Sequence, residues 1–139
     1  MYEALKQAVL AFDADEVPIG SVVVSENRII ARGYNQTQLL NDVTAHAEML
    51  SITASANFLG AKYLTNCRLY VTVEPCVMCA GALYWSQVDQ LIIGTSDSKR
   101  GFSQFGKQLL HPKTTITFGV LEIECKRLMQ EFFKSKRNI

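Results

Sequence analysis

The chain has 139 residues, 48% hydrophobic and 19% charged, with a formal net charge of +1. This length suits one domain, residues 1–139, and is short for two, and the composition is that of an ordinary globular protein. The near-neutral charge argues neither for nor against nucleic acid. No apolar run is long enough to span a bilayer, and the acidic start "MYEALKQAVLAFDADE" is not a secretory signal, so a cytoplasmic protein with no membrane partner is expected.

In chain order, "YEALKQAVLAFDAD" places Leu5, Val9 and Phe12 at helical spacing and predicts an amphipathic helix. "IGSVVVSENRIIARGYN" predicts a hairpin with Glu26 and Asn27 near its turn. "TAHAEMLSITASANFLG" predicts a helix stopped at Gly60. "RLYVTV" is β-branched, aromatic and apolar, which suits a central strand. "CVMCAGALYWSQ" is apolar nearly all round and predicts a helix buried on most sides. "QLIIGT" and "TTITFG" predict two more strands, and "VLEIECKRLMQEFFKSKRN" a closing helix with a basic end. Alternating strands and helices imply an α/β protein with helices on both faces of one mixed sheet. "SDSKRGFSQFGKQLLHPK" is the longest irregular stretch, and such a loop in a small domain is commonly functional or mobile.

Chemistry concentrates in two stretches, "NDVTAHAEML" and "TVEPCVMCAG". His46, Cys76 and Cys79 are donor types that zinc prefers, and three protein ligands with one water is the catalytic pattern. Pro75 suits a helix start, and helix N-termini favour thiolate over thiol. Glu48, two residues after His46, leaves the ligand direction and is free to carry protons. A structural site would need a fourth ligand from Cys67, Cys125 or His111. Cys67 and Cys125 read as core residues and His111 as a loop residue, so the pattern favours catalytic zinc over structural zinc and over a redox pair.

The joint pattern H-A-E … P-C-V-M-C matches the H-x-E … P-C-x-x-C signature of zinc nucleobase deaminases. Nearly the whole chain resembles the bacterial tRNA adenosine deaminases, which make inosine at the wobble position. The stretches that carry the resemblance are "EVPIGSVVV", "RGYN", "TAHAE", "LYVTVEPCVMCAGAL", "SDSKRG" and "GVLEIECKRLMQEFFKSKR". The resemblance implies a cytidine deaminase-like fold, a three-layer α-β-α sandwich around a five-stranded mixed sheet, working as a homodimer. It implies one Zn2+ per chain on His46, Cys76 and Cys79, with Glu48 as the proton shuttle. It further implies that Asn35, the Ala47 backbone, Asp97 and Lys99 contact the substrate. Phe132, Phe133 and Arg137, with Lys134 and Lys136, would lie against a tRNA anticodon loop. Two features depart from the pattern. Val43 stands where the family usually has proline before Thr-Ala-His, and "ALYWSQVD" also resembles guanine deaminases. In the latter, Tyr84 and Trp85 are expected to pack at a helix end or a subunit contact. Alternatives are deamination of a free base or nucleotide, of guanine or cytosine type, and a silent zinc-binding subunit, which would have no use for Glu48.

Overall fold

Five strands form one mixed sheet in the order β2-β1-β3-β4-β5 in the computed structural model, which describes residues 1–137. Asn138, the last residue of the expected closing helix, lies outside the described residues. Strands β1 (Gly20–Ser25) and β2 (Arg28–Tyr34) make an antiparallel hairpin. Glu26 and Asn27 both take positive φ, 51° and 59°, the pair of left-handed residues that lets a two-residue turn follow the sheet's twist. Strand β3 (Cys67–Val73) runs antiparallel to β1 and parallel to β4 (Gln90–Thr95), which in turn pairs in parallel with β5 (Thr115–Thr117). β3 is therefore the central strand, as its apolar run requires. β5 holds only three residues of the six expected.

Helices α1 (Tyr2–Asp13) and α4 (Glu122–Arg137) cover one face, and α2 (Ala47–Leu59) and α3 (Val77–Ser86) the other, giving the three-layer sandwich. α1 does not bury the face that its large residues mark. Ala4, Ala8 and Ala11 are fully buried, whereas Val9 is 43% exposed. The reason is close approach: a Cβ on Gly20 would lie 2.1 Å from the Ala4 carbonyl oxygen, so the alanine stripe is what fits against β1. α2 ends where expected, with Gly60 in the left-handed conformation (φ 64°). α3 buries Cys79, Ala80 and Leu83 but leaves Val77 and Trp85 open, Trp85 by 75%. The expectation of burial on most sides thus fails along one stripe.

Residues 96–113 are irregular but anchored. Two 3₁₀ turns, Phe102–Gln104 and Lys107–Leu109, are pinned by buried Phe102 and Leu110, which join the core around Leu69, Val71, Leu83, Leu91 and Ile93. Cys67 and Cys125 pack in the interior as expected. Among the described residues no helix is long and apolar enough to cross a membrane.

Candidate active site

Two helix starts meet at the site. His46 and Cys76 are the N-caps of α2 and α3, each one residue ahead of the helix that the sequence had them inside, and Cys79 lies one turn into α3. Both caps have extended backbone, φ −76° and −73°, which turns the side chains out ahead of the helix axis. The start of α2 is held close to the sheet. A Cβ on Gly33 would come within 2.7 Å of the Ala47 carbonyl oxygen, and the Ser21 hydroxyl donates to the Ser51 hydroxyl at 2.8 Å.

His46 Nδ1 lies 3.6 Å from Cys76 Sγ and 3.5 Å from Cys79 Sγ, and the three donor atoms all lie within 4.8 Å of one another. A tetrahedral zinc with ordinary Zn–N and Zn–S lengths would set its nitrogen and sulfur about 3.6 Å apart, so one imidazole and two sulfurs here fit such an ion. Among the described residues no other group of three or more His, Cys, Asp or Glu has this form. His111 stacks at a tilt on Tyr84, ring centroids 5.4 Å apart, and Tyr84 packs edge-on against Trp85 at the end of α3.

Cys76 and Cys79 are linked through one hydrogen bond. The hydrogen bond from the Cys79 thiol pulls Cys76 down to about 4, and the bonded imidazole of His46 adds to this. The same bond, then burial, pushes Cys79 far up, while the Cys76 sulfur raises His46. A divalent ion displaces these protons, because its ligands must be two thiolates and a neutral imidazole. Glu48, the second residue of α2, is 3% exposed, and burial pushes its carboxyl up to about 7. It lies beside the Cys79 thiol but outside the three-donor group. A carboxyl held near neutrality next to a metal site can both take and give a proton.

Two loops border the ligands in sequence. Asn35, just past β2, is buried, and its amide donates to the Ile19 carbonyl at 3.1 Å. Ala47, the first residue of α2, is fully buried. Between them, Asp42 Oδ1 accepts from both the amide and the hydroxyl of Thr44 at 2.8 and 2.7 Å. This side-chain turn shapes the approach to His46 without a proline, and Val43 stands 83% exposed. On the other loop Asp97 Oδ1 accepts the amides of Lys99 and Arg100, both at 3.0 Å, so one of its oxygens is engaged in building the turn. Lys99 and Arg100 are exposed.

The closing helix separates its aromatic pair. Phe132 is buried and packs edge-on against Phe12, centroids 5.8 Å apart, so its ring belongs to the α1–α4 contact and is not presented to a nucleic acid as expected. Phe133 is 41% exposed, and Lys134 and Arg137 are exposed. Lys136 pairs with Asp15 and lies over the Phe132 ring at 5.3 Å. Phe132 and Lys136 line an open cleft of about 460 Å³ together with Ala14 to Val17, just after α1, and the Thr37–Gln38 segment. The sequence reading missed two buried carboxylates, Glu16 and Glu74. Nothing in the side-chain pattern marks them: Glu16 closes the acidic run "DADE", and Glu74 is a single acid at a strand end in "VTVEP".

The MafB19-like deaminase family matches residues 1–137. The tRNA-specific adenosine deaminase of Aquifex aeolicus (strain VF5) is 41% identical over 140 residues, covering 97% of this chain and 92% of that one. A solved structure from studies of A-to-I editing by tRNA:A34 deaminases at the wobble position superposes with a TM-score of 0.86. It is 39% identical, over 92% of this chain and 96% of that one. A guanine deaminase from Nitrosomonas europaea superposes with a TM-score of 0.78 at 26% identity, over 93% of this chain and 80% of that one. With the three-layer fold, the three-donor group and Glu48 in place, the chain belongs to the MafB19-like deaminase family, among the tRNA-specific adenosine deaminases.

Proposed function

We propose that this protein hydrolytically deaminates adenosine to inosine at the wobble position of a tRNA anticodon, with one zinc per chain on His46, Cys76 and Cys79. The observation that carries the reading is Glu48: a buried carboxyl beside the three-donor group and outside it, with its proton affinity raised to about 7. Zinc held by these three residues would supply an activated water, since a divalent ion lowers the pKa of its water towards about 7. Glu48 would take a proton from the attacking water and deliver it to N1 of the adenine as oxygen adds at C6. It would then carry the remaining proton from the new C6 hydroxyl to the amino group, so that the C6–N bond breaks and the C6 carbonyl forms, giving inosine and ammonia. Asn35 holds the purine edge, and the backbone around Ala47 and Cys76 hydrogen-bonds the ring and the departing group. Reaching C6 takes the base out of the stack, which an anticodon loop permits more readily than a duplex.

The outer surface supports an RNA substrate. Phe133, Lys134 and Arg137 offer a stacking ring and two cations, and Lys99, beside Asp97, adds another. A second copy of the chain covers α3 in this reading. Val77, Gly81 and Trp85 follow one another at four-residue spacing, Val77 is 44% and Trp85 75% exposed, and a Cβ on Gly81 would meet nothing within 4 Å. The reading places the enzyme in the cytoplasm, where its substrate is. The test is a substrate panel: an anticodon stem-loop with adenosine at the wobble position, against guanine, cytosine and cytidine. Inosine and ammonia from the stem-loop alone support the reading; turnover of a free base with none of the stem-loop overturns it in favour of a small-molecule deaminase.

A further inference from the structure

Glu16 and Glu74 take no part in the chemistry above, yet they are 1% and 4% exposed. A buried carboxylate is destabilising unless donors satisfy it. Here the donors are chiefly main-chain amides of two loops. Glu16, just after α1, accepts from the amides of Gln38 and Leu39 at 3.1 and 2.7 Å, with the Thr37 hydroxyl at 3.4 Å. Glu74, just after β3, accepts from the amides of Asp97 and Ser103 at 3.0 and 2.9 Å. A Cβ on Gly101 would lie 2.3 Å from the Glu74 carboxylate, so that loop closes directly over it.

Each loop has a second tie of the same kind. The Gln36 amide donates to the carbonyl of Ala45, the residue before His46, at 3.0 Å, and the Phe102 amide donates to the carbonyl of Pro75, the residue before Cys76, at 2.9 Å. Both loops are thus bonded to a buried carboxylate and to the backbone that immediately precedes a metal ligand. The first loop also holds apolar side chains away from the core: Leu39 is 63% exposed, Leu40 50% and Val43 83%. Left to the hydrophobic effect alone such a segment would fold back, and the Glu16 bonds oppose that.

We propose that Glu16 and Glu74 are positioning residues, each locking one substrate-facing loop, 36–45 or 96–103, to the backbone that presents a metal ligand. The proposal rests on the reading of these loops as substrate-facing. A carboxylate suits the task because both its oxygens accept, whereas glutamine of the same shape turns an NH2 towards an amide N–H. Fixing the loops in the free enzyme removes an ordering cost that substrate binding would otherwise bear.

The test uses the zinc-loaded, full-length protein with Glu16→Gln and Glu74→Gln. Each is expected to raise KM for the stem-loop roughly tenfold, the loss of a hydrogen bond to a charged group, with kcat changed less than about twofold. Zinc content should stay as in the wild type. Hydrogen exchange in the free enzyme should accelerate at 37–40 only for Glu16→Gln and at 97–103 only for Glu74→Gln. Gly101→Ala, which pushes the loop off an intact Glu74, should reproduce the Glu74→Gln pattern. Ser103→Ala should leave hydrogen exchange in the 97–103 loop as in the wild type, because that bond is made by the amide. Unchanged KM and exchange, or exchange that rises across the whole chain with KM unmoved, would overturn the proposal. If the wild type does not act on the stem-loop, the substrate reading falls, and the loop-specific exchange still decides whether the carboxylates lock the loops.

Discussion

Phe132 and Phe133 are adjacent in sequence, and replacing each by alanine should have opposite consequences. Phe132 is 6% exposed, edge-on to Phe12 and capped by Lys136. Truncating a buried phenylalanine removes about 3–5 kcal/mol of stability. The lower end applies here, because the void opens into the cleft beside Asp15 and Lys136, where water can enter it. About 3 kcal/mol in a chain of this size corresponds to a drop in Tm of about 10 °C. Phe133 is 41% exposed, so its truncation should cost less than about 1 kcal/mol of stability. If a base stacks on it, the same change should weaken stem-loop binding by about 1–3 kcal/mol. Calorimetric melting and a fluorescence titration with a labelled stem-loop read the two effects separately. A Phe132→Ala protein that melts with the wild type, or a Phe133→Ala protein that melts far below it, would refute this assignment of the two rings.

Three further outcomes follow from the same geometry. In metal-stripped protein, native Glu48 keeps a proton that the unfolded chain releases above its ordinary value of 4.5, so stability falls as pH rises from there to about 7, by up to about 3 kcal/mol, and then levels off. Glu48→Gln should match the wild type near about pH 4 and exceed it near about pH 8 in urea midpoint; parallel profiles would sink the assignment. Lys134→Ala with Arg137→Ala should lower the slope of log affinity against log salt by about 0.7 for each phosphate left without its cation, while Lys136→Ala, whose ammonium is already paired with Asp15, should lower it less. Trp85→Glu should shift the light-scattering mass from two chains to one at micromolar protein; a wild type already at one chain would remove the subunit-contact reading of α3.

Much of the site was legible because its chemistry is carried by residue types that have few other reasons to stand together. His46, Glu48, Cys76 and Cys79 stand in two short motifs beside predicted helix starts, and the structure brings the three donors together. The central position of β3 followed from its unbroken apolar run, and the hairpin turn from Glu26 and Asn27. What was not legible depends on depth and on partners distant in sequence. Helical spacing marked Leu5, Val9 and Phe12, but a glycine on the facing strand made the alanines the buried face. The pattern "EFFKSKR" cannot say which phenylalanine faces α1; only the docking of α4 decides it. Glu16 and Glu74 looked like ordinary acids because their partners are backbone amides 22 to 29 residues away, which leave no trace in side-chain pattern.

The most direct test of the account compares wild type with Glu48→Ala, both with zinc measured per chain, on a stem-loop carrying adenosine at the wobble position. Glu48 is placed as the carrier of every proton and outside the metal group, so the variant should keep about one zinc and the wild-type melting behaviour or better, yet lose about 10³-fold or more of the inosine-forming rate. A Glu48→Ala protein that still forms inosine at a near wild-type rate with its zinc in place would contradict the account at its centre.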